Sequence, residues 1–321
     1  MDDRIVTDLE GSYGISFHGI SPVAGGWLNR KWKISTDDGE LLVKKYSYER
    51  YRPGSIAFIE SALQRQMILE KRGVPCPAIR PCGERAIRLL DGETAYMVMD
   101  FRPGWIETPG TVTLPQMREL GSACGFMHGA FSKLPVDSVR GYPIDARREI
   151  DSLWANYRTR MQKGAPDESA AYRNALTALE PILRQLTEDF FDRIPKGIAH
   201  EDFSPDNYLF TEDRVSAILD FDRSCYNYLW HDVGRAILSL SLEDGKLNAG
   251  KIAAFVDSYA RHLPLKLADV ADALRITWCV EVPWWIQPSF FKENHKKVLR
   301  FRDEMIWLTE NWSQLDALIQ P

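Results

Sequence analysis

The hydrophobic period of the sequence changes near residue 101, and this change most constrains the fold. From Gly14 to Tyr46, apolar and polar residues alternate around turn formers, as in antiparallel strands. A helical period covers Phe58–Arg72, and TAYMVMDF then predicts one more strand. Helical spacing dominates after the RPG that follows it. We therefore expect a small, strand-rich lobe over residues 1–101 and a larger, mainly helical lobe over residues 102–321.

The second lobe is predicted to be helical with one β-rich interruption. Thr113 is a plausible N-cap with Gln116 at the third helical position. Longer helical segments are predicted over Ile144–Lys163, over Glu168–Asp192 and over most of Leu247–Leu318. Between them lies GIAHEDFSPDNYLFTEDRVSAILDFDRS, with turns at SPDN and EDR. The expected fold class is α+β, with an antiparallel β-sheet lobe joined by a short hinge to a helical lobe.

Charge and cysteine content limit the classes of partner and compartment. The formal net charge of -5 gives no broad attraction for nucleic acid or for an anionic membrane surface. The amino terminus lacks the pattern of a secretory signal, and no apolar run approaches the length of a membrane span. Five cysteines without a CxxC pair argue against a disulfide framework or a zinc ribbon. We expect a cytoplasmic protein, monomeric or homodimeric, that binds neither nucleic acid nor membrane.

The β-rich interruption carries the strongest chemical signal. His200, Asp202 and Asn207 have the spacing H-x-D-x-x-x-x-N of a kinase catalytic loop, and Asp220 follows at the end of a strand. Phosphoryl transfer needs one carboxylate beside the attacking hydroxyl, and a carboxamide and a second carboxylate that hold magnesium on the phosphates. Apolar segments on either side of the EDR turn predict a hairpin. This hairpin would return Asn207 and Asp220 to one edge.

The motif HEDFSPDNYLF…ILDFD resembles the aminoglycoside phosphotransferase and choline kinase-like superfamily, in particular its spore-coat-kinase-like and homoserine-kinase-like members. The resemblance covers nearly the whole chain and implies a protein-kinase-like fold that transfers the γ-phosphoryl group of ATP to a hydroxyl of a small molecule. It makes Asp202 the catalytic carboxylate. It makes Asn207 and Asp220 the magnesium ligands, with Asp222 as a second acidic neighbour. His200 belongs to the same catalytic loop, where we expect it to hold the shape of the loop rather than to transfer a proton.

Two further segments fit the nucleotide-binding parts of that family. VAGGWLNRKWKIS resembles the hairpin that covers the phosphates, with Gly25 and Gly26 allowing a close backbone approach. In LLVKKY, Lys44 shares strand parity with Leu42 and matches the lysine that pairs with the α- and β-phosphates. A helical glutamate should pair with Lys44. Glu60 is the better placed by its spacing, and Glu70 is the alternative.

The segment MVMDFRPG resembles the hinge of the same family. Met99 would stand against the adenine, and the backbone around Asp100 and Arg102 would bond its edge. Backbone recognition of this kind leaves little side-chain signature. ATP and Mg²⁺ are therefore the expected cofactors.

Several polar residues have a structural interpretation beside a functional one. We expect Asp206 to shape the loop rather than to bind metal, and Asp232 to cap a helix or to hold the catalytic loop. His128 is expected to pack in the core. Glu281 lies among aromatic residues in WCVEVPWWIQPSFF, where core packing competes with the hypothesis that this cluster binds a cationic or sugar-like acceptor.

The sequence thus predicts an ATP- and magnesium-dependent small-molecule kinase. Aminoglycosides, choline-like amines, homoserine-like amino acids and sugars all remain open as acceptors. A protein of another class, a catalytically weak or spore-coat-like scaffold that keeps the fold, is the alternative.

Overall fold

The structure, a computed structural model, describes residues 1–23, 29–47, 53–90, 92, 94–108, 110–163 and 169–319. The chain divides into two compact units. The first comprises Met1–Trp105, Asn207–Thr211 and Val215–Ser224, and the second comprises Ile106–Asp206, Glu212–Arg214 and Cys225–Pro321. The helix-to-strand balance differs between them as the sequence predicts, with the main sheet in the first unit and most helices in the second.

The strands are short, and most lie in the first unit. They are β1 (Gly19–Pro22), β2 (Arg30–Thr36), β3 (Gly39–Lys45), β4 (Ile79–Arg80), β5 (Arg88–Leu90), β6 (Thr94–Asp100), β7 (Lys196–Ala199), β8 (Tyr208–Thr211), β9 (Arg214–Ile218), β10 (Cys225–Tyr228), β11 (Leu242–Glu243) and β12 (Lys246–Leu247).

The helices lie mainly in the second unit. They are α1 (Asp3–Tyr13), α2 (Pro53–Lys71), α3 (Leu114–Phe131), α4 (Ala146–Lys163), α5 (Ala170–Thr177), α6 (Glu180–Leu183), α7 (Glu188–Arg193), α8 (Leu229–Ser241), α9 (Ala249–Tyr259), α10 (Val270–Trp285), α11 (Lys296–Asn311) and α12 (Leu315–Ile319). No helix in the described part of the chain is both long and apolar enough to cross a membrane.

The main sheet of the first unit is antiparallel and is covered on both faces. Its strand order is β1-β2-β3-β6-β4, and β5 also pairs with β6. Because side chains alternate along β3, Leu42 packs with Ile59 and Leu63 of α2, whereas Val43 packs with Ile5 of α1 on the other face. The strand that carries Lys44 is therefore central and buried on both faces.

Helix α1 is an element that the hydrophobic period of the sequence did not reveal. Its N-cap is Asp2, whose side chain accepts from the amide of Arg4, and it ends at Gly14, which has the left-handed φ of 63°. Asp2 and Gly14 were the residues from which the two ends of this helix could have been predicted. On the outer face of the sheet, Asp8 of α1 accepts hydrogen bonds from Arg88 and from the hydroxyl of Tyr96.

Close helix packing characterises the second unit. A Cβ atom built on Gly121 of α3 would collide with the carbonyl oxygen of Phe255 in α9, and one on Gly234 of α8 would collide with that of Ala273 in α10. The missing side chains let both pairs of helix backbones approach each other. The capping box predicted at Thr113 and Gln116 is present at the start of α3.

Two of the long helical segments are interrupted in the structure. The segment Glu168–Asp192 covers α5, α6 and all but the last residue of α7, and Leu247–Leu318 covers α9, α10, α11 and all but the last residue of α12. Pro181 opens α6, and Pro288 follows the end of α10. A proline cannot donate an amide hydrogen bond to the preceding turn, so these positions favour a new start over a continued helix.

Candidate active site

Lys44 holds two carboxylates in the interior of the first unit. Its Nζ atom lies 2.6 Å from Oδ1 of Asp220 and 2.6 Å from Oδ2 of Asp222. The hydroxyl of Tyr46 donates to the other oxygen of Asp222 at 3.2 Å. Lys44 extends from β3, and both aspartates lie at the 3₁₀ turn that follows β9. The sheet and the hairpin therefore bring together residues 176 and 178 positions apart in sequence.

The electrostatics of this cluster follow from its burial. Asp222 is 4% exposed, and burial together with neighbouring Asp220 raises its pKa to about 6, although Lys44 opposes the rise. Burial alone would lower the pKa of Lys44, but the two carboxylates raise it above its ordinary value. Lys44 is therefore a cation at neutral pH that two aspartates share.

Asn207 and Asp220 lie at the open end of the β8–β9 hairpin. Asn207 directly precedes β8, and its carbonyl oxygen accepts a 2.7 Å hydrogen bond from the amide of Leu219, the residue before Asp220. Asp220 has the left-handed φ of 63°, which is uncommon outside glycine and occurs at functional turns. The hairpin that the sequence predicts is present. The side chains of Asn207 and Asp220 supply the carboxamide and carboxylate oxygens that a hard divalent cation prefers.

The loop from His200 to Asp206 belongs to the second unit, where Asp232 of α8 holds its first residues. The carboxylate of Asp232 accepts from the backbone amides of His200 at 2.7 Å and Glu201 at 3.0 Å, and it also contacts His128 at 2.9 Å. Asp232 thus holds the loop that contains His200 and Asp202, one of the two roles predicted for it. His128 lies in the core as expected, with 1% of its surface exposed.

His200 and Asp202 differ in exposure. His200 is fully buried, and its Nδ1 accepts from the backbone amide of Asp202 at 3.3 Å. Asp202 is partly exposed, as a residue that meets a substrate must be. This geometry favours a shape-keeping role for His200, and its catalytic assignment stays a prediction.

Asp206, the last residue of this loop, forms two ion pairs with a helix of the second unit. Its Oδ2 lies 2.8 Å from Arg300 and 3.0 Å from Lys297, both in α11. Burial would raise the pKa of Asp206, but the two cations hold it below its usual value. Asp206 therefore has a structural explanation that needs no metal.

The pairing predicted between Glu60 and Lys44 is absent among the described residues. Both carboxylate oxygens of Glu60 accept backbone amides, from Ala86 at 2.9 Å and from Ile87 at 2.8 Å. Those amides need an acceptor, and the ammonium of Lys44 is held by the aspartates instead. Glu70, the alternative partner, lies near the end of α2 and has no ion pair with Lys44 in the described part of the chain.

The predicted hinge residues lie at the end of β6. Met99 is 9% exposed and packs in the core cluster that includes Leu42. The amide of Asp100 donates to Ala78, and that of Phe101 donates to Glu40. Those two amides are therefore already engaged within the first unit and are not available to an adenine edge. Arg102 donates to the carbonyl oxygen of Ser216 at 3.0 Å. Gly25 and Gly26 lie outside the described residues.

The acceptor role proposed for Glu281 conflicts with its surroundings. One oxygen lies 3.0 Å from His231 and 2.9 Å from Arg235, and the other accepts from the indole of Trp285. Burial would raise the pKa of Glu281, but Arg235 and His231 lower it to about 2. Trp278 of the same aromatic segment is fully buried. Core packing explains Trp278, whereas Trp284 of the same segment is 59% exposed. The carboxylate of Glu281 is used internally.

The sequence did not single out His231 or Glu201, which share a hydrogen bond. Oε1 of Glu201 lies 3.2 Å from Nδ1 of His231, and Oε2 accepts from Asn227 at 2.7 Å. Burial would lower the pKa of His231, but Glu201 and Glu281 raise it to about 10. The position of Glu201 inside HEDFSPDN was the available signal; nothing in the spacing of His231 pointed to it.

Glu201, His231 and Asp232 also bring three potential ligand atoms within 4.8 Å of one another. These atoms already have partners, because Asp232 accepts two backbone amides and His231 contacts Glu201 and Glu281. The cluster is explained by these internal bonds, and Asn207 with Asp220 is the better candidate for a metal centre.

Comparison with known proteins adds evidence from sequence. Residues 19–265 match the model of a family described as "Phosphotransferase enzyme family". Homoserine kinase of Paramagnetospirillum magneticum is 26% identical over 260 residues, which cover 78% of this chain and 74% of the relative. Homoserine kinase of Rhizobium meliloti is 27% identical over 263 residues, covering 80% and 74%.

Solved structures show the same fold at lower identity. A microcompartment-associated aminopropanol kinase has a TM-score of 0.66 and 17% identity, with 99% of each chain covered. Choline kinase of Cryptosporidium parvum has a TM-score of 0.65 and 13% identity, covering 100% of this chain and 98% of its own. Amicoumacin kinase hAmiN, solved with AMP-PNP and Ca²⁺, has a TM-score of 0.65 and 13% identity, covering 98% and 95%. The protein-kinase-like fold predicted from the sequence is confirmed.

Proposed function

This chain belongs to the phosphotransferase enzyme family, and we propose that it is an ATP- and magnesium-dependent kinase that phosphorylates a hydroxyl group of a small molecule. The coarser statement, that it is a small-molecule phosphotransferase, follows from the family. The single observation that carries the finer proposal is the backbone hydrogen bond from the amide of Leu219 to the carbonyl oxygen of Asn207, which brings Asn207 to the same hairpin end as Asp220. Nucleotide and a divalent ion accompany one structural relative, the amicoumacin kinase.

Asn207 and Asp220 would hold Mg²⁺, and Asp222, whose two oxygens are bonded to Lys44 and Tyr46, would add negative charge beside them. When bound, this ion neutralises charge on the phosphates and orients them for transfer. The donor set fits such an ion because it consists of oxygen ligands and carries negative charge. Lys44 already lies within hydrogen-bond distance of both aspartates, so its ammonium is positioned beside the same donors and can contact a phosphate oxygen.

Asp202 would orient the acceptor hydroxyl and accept its proton during transfer. Its place in the loop is set by the backbone bonds of His200 and Glu201 to Asp232. Orientation of the hydroxyl and compensation of phosphate charge supply most of the rate in reactions of this kind. Gly25, Gly26 and Met99 remain proposed nucleotide contacts, as does the backbone at Arg102.

An acceptor that carries an amino group fits one feature of the second unit. Glu149 in α4 is partly buried, burial raises the pKa of its carboxyl, and no described residue forms an ion pair or hydrogen bond with its side chain. The charge of neighbouring Arg148 opposes this rise without forming an ion pair. A partly buried carboxylate that lacks an ion pair favours a cation. Homoserine, aminopropanol and choline, which name three relatives, each combine a hydroxyl with a cationic nitrogen. We propose an acceptor of this class ahead of neutral sugars.

The test compares Asp202→Asn and Asp220→Asn with wild type, and Asp213→Asn in the exposed turn of the same hairpin serves as the control. Turnover is followed as ADP formed with a panel of amino alcohols, aminoglycosides and sugars, with the phosphorylated product identified by mass. Thermal stabilisation by Mg²⁺ and ATP is measured in parallel. Asp202→Asn should keep the stabilisation and lose transfer by about 10²- to 10⁴-fold, whereas Asp220→Asn should lose both.

Full turnover in both variants would contradict the mechanism. The rival function, a kinase-fold scaffold, predicts a different outcome for the wild type. In that case the wild-type protein would be stabilised by Mg²⁺ and ATP and yet phosphorylate no member of the panel.

A further inference from the structure

Glu201 adopts a backbone conformation that an L-residue rarely takes. Its φ is 68°, and of the four described non-glycine residues with positive φ, Glu212 and Asp244 lie in hairpin turns. Glu201 and Asp220 lie instead beside or at proposed catalytic positions. A left-handed residue with a side chain is strained relative to glycine and persists where its surroundings determine it. The residue directly before Asp202 therefore needs something that holds it.

The side chain of Glu201 supplies that restraint. Its carboxylate is buried, accepts from Asn227 at 2.7 Å and contacts His231 at 3.2 Å. Because the two neighbouring carboxylates raise the pKa of His231 to about 10, the ring is cationic at neutral pH and donates from both nitrogens. Glu201 is thus bonded to α8 through its side chain and, through its amide, to Asp232 of the same helix.

From His231 the ionic contacts continue through three helices. His231 contacts Glu281 of α10 at 3.0 Å, and Glu281 lies 2.9 Å from Arg235 of α8. Arg235 also pairs with Glu304 of α11, to which Ser239 donates at 3.1 Å. The acids and bases alternate, so each buried charge has a neighbour of opposite sign.

The path returns to the loop where it started. Arg300 of α11 lies 4.0 Å from Glu304 and 2.8 Å from Asp206. Asp206 stands four residues after Asp202 and directly before Asn207. We name the whole set the charge chain: Glu201, His231, Glu281, Arg235, Glu304, Arg300 and Asp206. All of these residues lie in the second unit.

We propose that Glu201 and Asp206 are positioning residues, and that the charge chain joining them fixes the backbone on both sides of Asp202. The inference deepens the proposed function, since it rests on Asp202 as the group that orients the acceptor hydroxyl. Neither Glu201 nor Asp206 need touch a substrate. Their task is to keep Asp202 in one orientation before the substrates arrive.

Stability alone does not account for the charge chain. Buried ion pairs cost much of their attraction in desolvation, and apolar replacements of similar size are often as stable. An extended network of ion pairs instead restricts side chains to one arrangement. A restraint of that kind is useful beside a loop that must hold a carboxylate in a fixed direction.

The first experiment separates the side-chain restraint from backbone strain. Glu201→Ala and Glu201→Gly both remove the carboxylate, but glycine adopts a φ of 68° without strain. We expect kcat for L-homoserine, or for ATP hydrolysis if homoserine is not phosphorylated, to fall about 10- to 100-fold in both variants. KM for ATP should change less than about 2-fold, because Glu201 is not assigned to the nucleotide. Glu201→Gln should recover part of kcat, since its amide oxygen can still accept from Asn227.

Glu212→Ala is the matched control. Glu212 is also a glutamate with positive φ, at 51°, but it is exposed in the β8–β9 turn and outside the charge chain. It should keep wild-type kcat. Wild-type kcat in Glu201→Gly would overturn the proposal, because that variant lacks every side-chain bond of Glu201.

The second experiment does not need turnover. Amide hydrogen exchange of the segment 200–207 is measured by mass spectrometry in Glu201→Ala and in Arg300→Met, with Arg302→Met of the same helix as the control. Arg302 pairs with Asp303 rather than with the loop. Exchange in the segment should rise about 10-fold in the first two variants and stay unchanged in the third.

Turnover and amide hydrogen exchange together distinguish a failure of the positioning proposal from a failure of the proposed role of Asp202. Unchanged exchange in Glu201→Ala and Arg300→Met would overturn the positioning proposal. Exchange could instead be faster in Glu201→Ala and Arg300→Met while Asp202→Asn keeps full turnover. That result would support the restraint on the loop and refute the proposed role of Asp202.

Discussion

The Nζ atom of Lys44 lies 2.6 Å from a carboxylate oxygen of Asp222, and both side chains are almost completely buried. The pair joins the central strand β3 to the turn after the β8–β9 hairpin. A buried ion pair of this kind is costly to break on one side only, because the remaining buried charge loses the opposite charge that compensates it.

Lys44→Met should therefore destabilise the protein by about 3–5 kcal/mol, measured by urea unfolding at pH 7.5. Adding Asp222→Asn to that variant should restore part of the loss, because the unpaired carboxylate is then removed. Lys45→Met is the control, since Lys45 lies on the opposite face and pairs with partly exposed Asp2; it should cost about 1 kcal/mol or less. A double variant less stable than Lys44→Met alone would contradict this expectation.

Glu149→Gln should weaken the binding of acceptors that carry a cationic amine. KM for such an acceptor should rise about 10-fold or more, with KM for ATP unchanged, because a carboxylate–ammonium contact is lost. Asp151→Asn on the same helix is the control, since Asp151 is exposed and pairs with Arg147. Equal KM values for wild type and Glu149→Gln would remove Glu149 from the acceptor site.

His231 should make stability depend on pH in the alkaline range. Glu201 and Glu281 raise the pKa of His231 from 6.5 to about 10. A raised pKa means that the stabilisation is fully present below pH 6.5 and is lost as pH rises through 10. The difference in unfolding free energy between wild type and His231→Gln should therefore be on the order of a few kcal/mol at pH 6 and shrink steadily towards pH 10. A difference that stays constant across this range would contradict the assigned ion pairs.

Gly121→Ala should destabilise the second unit. The added methyl group would collide with the carbonyl oxygen of Phe255, so α3 and α9 would have to separate, at a cost of about 1–3 kcal/mol. Gly129→Ala in the same helix is the matched control, because nothing lies within 4 Å of its added Cβ, and it should be neutral or stabilising by about 0.5–1 kcal/mol. The free energy of unfolding of both variants is measured by chemical denaturation. If helix propensity alone determined the effect, both substitutions would stabilise the protein, whereas close packing predicts that Gly121→Ala destabilises it.

The elements that the sequence predicts are those set by local rules. Residue periods predict the strand-rich first part and the helical remainder, and a side-chain cap predicts the start of α3 at Thr113. The β8–β9 hairpin follows from apolar segments around a turn. The division at residue 101 and the chemical roles of Asp202, Asn207 and Asp220 remain predictions.

The features that escaped prediction depend on distant partners. Glu60 binds the amides of Ala86 and Ile87, and no spacing rule shows that those amides lack another acceptor. The partners of Glu281 are His231 and Arg235 of α8 and Trp285 of its own helix. Because the sequence alone does not show the two partners in α8, it left Glu281 as a candidate for binding a ligand. Pairings of this kind are set by tertiary packing, which periodicity does not encode.

Because the β8–β9 hairpin folds back on itself, Asn207 and Asp220 can lie at the same end of it whatever the number of residues between them. Asn207 and Asp220 both lie at its open end, and the turn at Glu212–Asp213 lies at the other end. Residues added in cross-strand pairs at that turn would lengthen both strands equally and keep each side chain on its face. The number of residues between Asn207 and Asp220 is thus a measure of hairpin length, and a motif search that fixes this number would miss proteins with a longer hairpin and the same pair of oxygen donors.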